Sequence, residues 1–257
     1  MAVMPHILLD EKMTAPYALL PGDPARLDRI AAHLDQVEEL AYNREFRSLR
    51  GFYKGVRVMA LSTGPSSAPP NALGGPSTAV AVEELAKLGV SHMIRIGSCG
   101  ALQRGIHVGD LVLVNGTVRN DGTSRTYIED GYPAVADFSL LVACKDAVES
   151  IRVPYHIGIA RTHDSFYTDE KDEIYAYWKK KGIIASDMET AALYVAGRLR
   201  GVKCASILNV VVASEDDLQE QINHYTDGEN MASQGEKNEI LTALEAFVRI
   251  NKSTTER

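Results

Sequence analysis

The chain has 257 residues, 45% of them hydrophobic, with a formal charge of -7 and a pI near 5.5. That is enough apolar material for one sizeable core, and no stretch reads as an interdomain linker, so a single domain over 1–257 is expected. An acidic chain lacks the basic face that a nucleic-acid backbone or an anionic membrane demands, which argues against either as a partner while leaving room for a small anion held locally.

Short apolar runs alternate with amphipathic helical patterns, the signature of an α/β domain. Tyr17 to Pro21 predicts a first strand; Gly22-Asp23-Pro24 then turns the chain, with Asp23 placed to cap a helix from Pro24 to Leu34. Arg57 to Thr63 predicts a second strand. Pro65 to Leu73, rich in proline and small residues, can continue neither strand nor helix and is expected to be a loop. Ser77 is placed to cap a helix that runs through Leu88 and stops at Gly89. Strands are expected at His92 to Gly97, Asp110 to Val114, His156 to Arg161 and Lys203 to Ala213. Helices are expected at Ser139 to Ser150, Asp169 to Lys181, Glu189 to Leu199 and Lys237 to Val248. Apolar runs such as Ala79 to Val82 are too short to span a bilayer, and Met1 to Leu20 lacks the order of a signal peptide, so a cytoplasmic location is expected. Cys99, Cys144 and Cys204 are odd in number, with no CxxC and no histidine at ligand spacing. Reduced, mostly buried thiols and no metal site are expected.

Four constellations can carry chemistry. In Gly22-Asp23-Pro24-Ala25-Arg26, a glycine turn, a helix start and a fixed positive charge outline an anion site; the plainer alternative is a strand-to-helix turn with a surface arginine. Arg95 interrupts an apolar strand just before Gly97-Ser98-Cys99-Gly100. Its planar fork suits phosphate oxygens and Ser98 can donate to the same anion, although a buried ion pair explains such an arginine equally simply. Asp187-Met188-Glu189 opens a helix, where acids commonly serve the dipole but can also hold a ribose diol. Phe166 and Tyr167 leave a strand together and can stack on a heterocycle or pack into a core.

In this order the segments resemble the nucleoside phosphorylases of the uridine phosphorylase and hexameric purine nucleoside phosphorylase type. The resemblance runs from about His6 to the last helix and rests on Leu20-Pro21-Gly22-Asp23-Pro24-Ala25-Arg26, Tyr42-Asn43-Arg44-Glu45-Phe46, Gly74-Gly75-Pro76-Ser77-Thr78-Ala79, Arg95 to Ala101, Pro133 to Phe138, Asp164 to Tyr167 and Asp187-Met188-Glu189. It implies a three-layer αβα fold with a central mixed, partly barrel-like sheet. It further implies phosphorolysis of a nucleoside to free base and pentose 1-phosphate, no cofactor beyond inorganic phosphate as co-substrate, and a homohexamer of dimers with active sites shared across the dimer.

Carried over residue by residue, the resemblance places Gly22, Arg26, Arg95, Ser98 and a neighbouring subunit's Arg44 at the phosphate. Met188 and Glu189 fall at the ribose, with His6 reaching the sugar of a neighbour, and Phe166 falls against the base. Arg95 and Glu189 would carry catalysis, positioning phosphate and favouring positive charge on the ring. Three departures matter, the first two on the base side. Glu170 and Asp172 stand where a glutamine and an arginine usually read uracil. Val212 stands where a purine enzyme has an acid, unless a local shift brings in Ser214, Glu215 or Asp216. Pro65 to Leu73 replaces a single residue, which bears on the monovalent-cation site some relatives build there. The reading favours uridine or a related pyrimidine nucleoside, with a purine nucleoside phosphorylase, a water-using nucleosidase and a non-catalytic nucleoside-binding protein as alternatives. A nicotinamide enzyme is disfavoured by the lack of a GxGxxG turn.

Overall fold

A computed structural model describes residues 3–64, 74–214 and 225–255. At the centre of the sheet β1 (Tyr17–Pro21) runs parallel to β4 (Val56–Leu61) on one side and β5 (His92–Ala101) on the other. Beyond β4 come β3 (Phe46–Tyr53) and β2 (Asp35–Asn43), each antiparallel to its neighbour. Beyond β5 the sheet closes on itself. Strand β5 pairs with both β9 (Ala185–Asp187) and β10 (Lys203–Val212); β9 continues to β8 (Tyr155–His163), then β6 (Leu111–Asn120), which returns to β10. The ring β5–β9–β8–β6–β10 is a five-stranded mixed barrel, and the short β7 (Ala134–Val135) pairs with β6 outside it.

Alternation along β1 shows why helices cover both faces. Leu19 packs with Leu27 and Ile30 of α1 (Arg26–Ala31), Leu140 and Cys144 of α4 (Phe138–Ile151), and Leu244 and Phe247 of α7 (Tyr225–Thr255). Leu20, one residue on, packs with Val82 and Leu85 of α2 (Gly75–Lys87) and Leu193 and Val195 of α6 (Thr190–Leu199). Two apolar faces one residue out of phase require two covering layers, giving the αβα order. The short α3 (Gly122–Tyr127) follows β6, and α5 (Lys171–Lys180) buries none of its residues fully. Cys99, Cys144 and Cys204 are free and buried.

Several elements differ from the sequence reading for identifiable reasons. Strands β2 and β3 were not expected: β2 is DQVEELAYN and mostly exposed, so it shows none of the apolar alternation that marks a strand. Strand β6 runs on to Asn120, past the expected end at Val114, through a bulge between Val114 and Gly116. Asp23 does not cap a helix from Pro24. Its Oδ1 accepts from Ala25 N at 2.8 Å inside the turn, and the helix starts at Arg26. Nor does Ser77 cap α2, which begins two residues earlier; its hydroxyl donates to Thr63 O instead. Gly89, at φ +85°, ends α2 as expected. The segment Pro65 to Leu73 lies outside the described residues, as do Glu215 and Asp216.

Candidate active site

Two arginines, Arg26 just beyond β1 and Arg95 within β5, both lie in the field of Glu239. Arg26 is buried and spends two of its nitrogens on the protein: Nε donates to Glu236 Oε2 at 3.0 Å and Nη1 to Ile96 O at 3.1 Å, with Glu239 Oε1 3.0 Å from the same Nη1. Glu239 Oε2 also accepts from Gly97 N at 3.1 Å, so one carboxyl ties the start of α1 to the middle of β5. Burial pushes the Glu239 carboxyl up to about 8, against the pull of Arg26. Gly22 opens this turn, and a Cβ there would meet nothing within 4 Å, so its backbone faces open space.

Arg95 is the second. Its guanidinium lies where a Cβ on Gly97 would fall, with Nη2 2.7 Å from that position, so only glycine lets the arginine fold back over its own strand. Nε donates to Asp187 Oδ2 at 3.1 Å and Nη2 pairs with Glu189 Oε2. Burial alone disfavours the Arg95 charge, but Glu189 and Asp187 more than offset it and hold the group above its usual value. Burial pushes Glu189 up, against the opposing field of Arg95. The plainer alternative, a buried ion pair, is thus present, and it does not exclude ligand binding. Ser98, two residues beyond Ile96, is exposed beside it.

Asp187 is the hub beneath this pair. Besides Arg95 it accepts from Thr162 Oγ1 at 2.7 Å, Thr190 N at 3.0 Å and Glu189 N at 3.3 Å. It therefore caps α6 and aims Glu189 in a single arrangement. Met188 is buried between the two acids.

His6 and Arg44 stand apart from these groups. Together with Glu45, Phe46, Gly74, Pro76, Ser77 and Val80 they line an open cleft of about 370 Å³ that includes neither Arg26, Arg95 nor Glu189. Arg44 is exposed at φ +56° in the turn between β2 and β3. His6 Nδ1 lies 2.6 Å from Glu84 Oε1.

On the base side, Phe166 and Tyr167 are exposed and meet edge to face at 5.1 Å, so they are not core residues. Glu170 sits at the surface before α5, its Oε2 accepting from Thr168 Oγ1 at 3.0 Å, and Asp172 is exposed in the first turn of that helix. Val212 ends β10 opposite Gly100. Ser214 Oγ accepts from Lys179 Nζ at 3.4 Å.

Sequence reasoning missed Glu236, Glu239 and Arg161. The acids are three apart, on one face of a helix whose next turns are apolar, a pattern that reads as a solvated stripe until its arginines are known. Arg161 was visible in the same way as Arg95, as a charge interrupting a strand. Among the described residues no group of three or more His, Cys, Asp or Glu side chains is placed to hold a metal ion, and no helix is long and apolar enough to cross a membrane.

Known proteins share this arrangement of elements. The profile of the phosphorylase superfamily matches residues 16–249. A uridine phosphorylase of Thermococcus kodakarensis is 37% identical over 94% of this chain and 84% of its own. A guanosine phosphorylase of Halorubrum lacusprofundi is 38% identical over 82% and 83%. The crystal structure of a uridine phosphorylase from Vibrio fischeri superposes with a TM-score of 0.89 at 44% identity, covering 97% of this chain and 98% of that one. With its five-stranded barrel, its buried Arg26 and Arg95 and matches that span nearly the whole chain, the protein belongs to the phosphorylase superfamily, among the nucleoside phosphorylases.

Proposed function

We propose that the protein cleaves a nucleoside, with uridine favoured, by attack of inorganic phosphate at C1′, releasing the free base and pentose 1-phosphate. The observation that carries this reading is the Arg95–Asp187–Glu189 arrangement: a buried guanidinium fixed by two carboxylates at the mouth of a barrel, with Arg26 held beside it by Glu236 and Glu239. A cation so fixed needs no reorganisation when an anion reacts beside it. Gly22, Arg26, Arg95 and Ser98 hold the phosphate, Met188 and Glu189 the ribose, and Phe166 stacks near the base. Val212 and Glu170 complete the assignment on the base side.

As the C1′–N bond breaks, positive charge grows on the sugar ring; Glu189 favours it and phosphate, positioned by the arginines, closes on the ring. The protein's own groups supply binding, orientation and charge; no cofactor enters this scheme. His6 and Arg44 complete the site of a neighbouring subunit, because they line a cleft separate from Arg26 and Arg95. The assembly we infer is a hexamer of such dimers, acting in the cytoplasm in nucleoside salvage, with residues 1–257 as one domain.

A panel of uridine, thymidine, inosine and adenosine with phosphate, read by base release, tests the reading. Uridine should be cleaved fastest. Appreciable inosine cleavage with none of uridine would replace it with a purine reading.

A further inference from the structure

Four strand ends of the barrel lie side by side in register. Arg161 of β8 is paired with Ser186 of β9, Ser186 with Gly100 of β5, and Gly100 with Val212 of β10. Residues directly opposite in neighbouring strands project to the same face, and a Cβ built on Gly100 comes 4.0 Å from Val212 Cβ, as that rule requires. The row adjoins Asp187-Met188-Glu189 through Ser186, and Phe166 follows Arg161 by five residues.

Arg161 differs from every other buried arginine in this row of elements. It is 8% exposed, yet no carboxylate pairs with it among the described residues. Nε donates to Asn120 Oδ1 at 3.0 Å, and no described residue hydrogen-bonds its two terminal nitrogens. Burial disfavours its charge, with only the Tyr175 hydroxyl in opposition. Its neighbour Ser186 has a buried Oγ that meets the Tyr175 hydroxyl short of proper hydrogen-bond geometry. Arg95, by contrast, has two acids and Arg119 has four backbone carbonyls. An uncompensated guanidinium is costly to bury and is held in place here by a packed strand, so it is built for an acceptor that arrives from outside.

We infer that Arg161 is the residue that reads the base, donating to the carbonyl oxygen at position 4 of a pyrimidine or position 6 of a purine. This rests on the phosphorolysis proposed above and names its substrate class: nucleosides of oxo bases, not of amino bases. A guanidinium has donors and no acceptor, so it binds a carbonyl and opposes an amino group at the same place. It also supports the reaction. The C1′–N bond breaks with its electron pair going to the base, and an oxygen of the phosphate dianion forms the C1′–O bond. The products are a sugar phosphate monoanion and a base anion whose charge spreads to the carbonyl beside Arg161. A proton then passes from the phosphate monoester through water to the base.

The test compares uridine with the riboside of pyrimidin-2-one, which lacks the 4-oxygen, and inosine with purine riboside, which lacks the 6-oxygen, in the wild type, Arg161→Gln and Arg161→Lys. The expected loss in kcat/KM on Arg161→Gln is about 10- to 100-fold for whichever oxo nucleoside the wild type cleaves, the size of one lost charged hydrogen bond. The matching oxygen-free riboside should change less than about 3-fold, Arg161→Lys should recover part of the loss, and the KM for phosphate should stay constant. Equal losses on both members of a pair, or no loss on either, would overturn the assignment. So would a wild type that cleaves adenosine and neither uridine nor inosine. A wild type that cleaves no nucleoside with phosphate present would instead sink the phosphorolysis reading itself.

Discussion

Glu189 illustrates how a side chain acquires a role from its neighbours. In isolation it is an acid near a helix start. In the fold it is buried against Arg95, with Asp187 holding the other edge of the same guanidinium. Replacing it by glutamine keeps the volume and removes half of the arginine's compensation. Glu189→Gln should lower kcat by about 10²- to 10³-fold while changing the KM for phosphate much less, because its effect is concentrated in the transition state. Steady-state kinetics with both substrates varied would check this, and a loss confined to KM would count against it. Glu239 gives a pH signature. Its folded-state value near 8 lies above the usual 4.5, so the folded chain binds a proton that the unfolded chain has lost between those two values. Its stabilising contribution is complete below about pH 4.5 and falls away as pH rises through 8. The melting temperature of Glu239→Gln should therefore gain on that of the wild type from pH 5 to pH 9; a difference independent of pH would show that the carboxyl titrates normally. Burial pushes the thiols of Cys99, Cys144 and Cys204 up, so a thiol reagent should leave all three untouched in the native protein and label all three after denaturation.

Elements whose apolar pattern faces the core were the ones legible beforehand. Strands β1 and β5 and helices α4 and α6 fall within a few residues of their expected spans, since burial on both faces of the sheet writes itself into runs of Leu, Ile, Val and Ala. The hairpin β2–β3 was not legible, because β2 is mostly exposed and β3 sets its few buried apolar residues, such as Phe46 and Leu49, among polar ones. Strand β9 is three residues long and too short to carry a period. The residues proposed for phosphate and ribose could be singled out because each belongs to a short local motif. Glu236 and Glu239 could not, since they act on Arg26 across more than two hundred residues. Small caps matter at this scale. Asp121 is fully buried before α3 and accepts from Ser124 N at 2.6 Å and Ser124 Oγ at 2.7 Å. Asp121→Ala should cost about 1–2 kcal/mol of unfolding free energy, read from denaturant titration. A cost near zero would mean that α3 is held by its contacts with α2 and α6 alone.

At the scale of the whole molecule, closing β5, β9, β8, β6 and β10 into a barrel brings residues 95, 100, 161, 186, 187 and 212 together from four separate strands. No local stretch contains that site; topology assembles it. The separation of His6 and Arg44 from Arg26 and Arg95 leads to a further expectation if sites are completed across a dimer. Arg44→Ala and Arg95→Ala, each inactive alone, should regain about a quarter of wild-type activity when co-assembled, since half of random dimers are mixed and each mixed dimer has one intact site. The central claim concerns the acceptor of the sugar, and it is tested most directly by following uridine with and without inorganic phosphate and quantifying both products. Uracil and ribose 1-phosphate are expected in equal amounts, only when phosphate is present, and neither product from Arg95→Ala. Uracil released with free ribose, at an unchanged rate in the absence of phosphate, would contradict it.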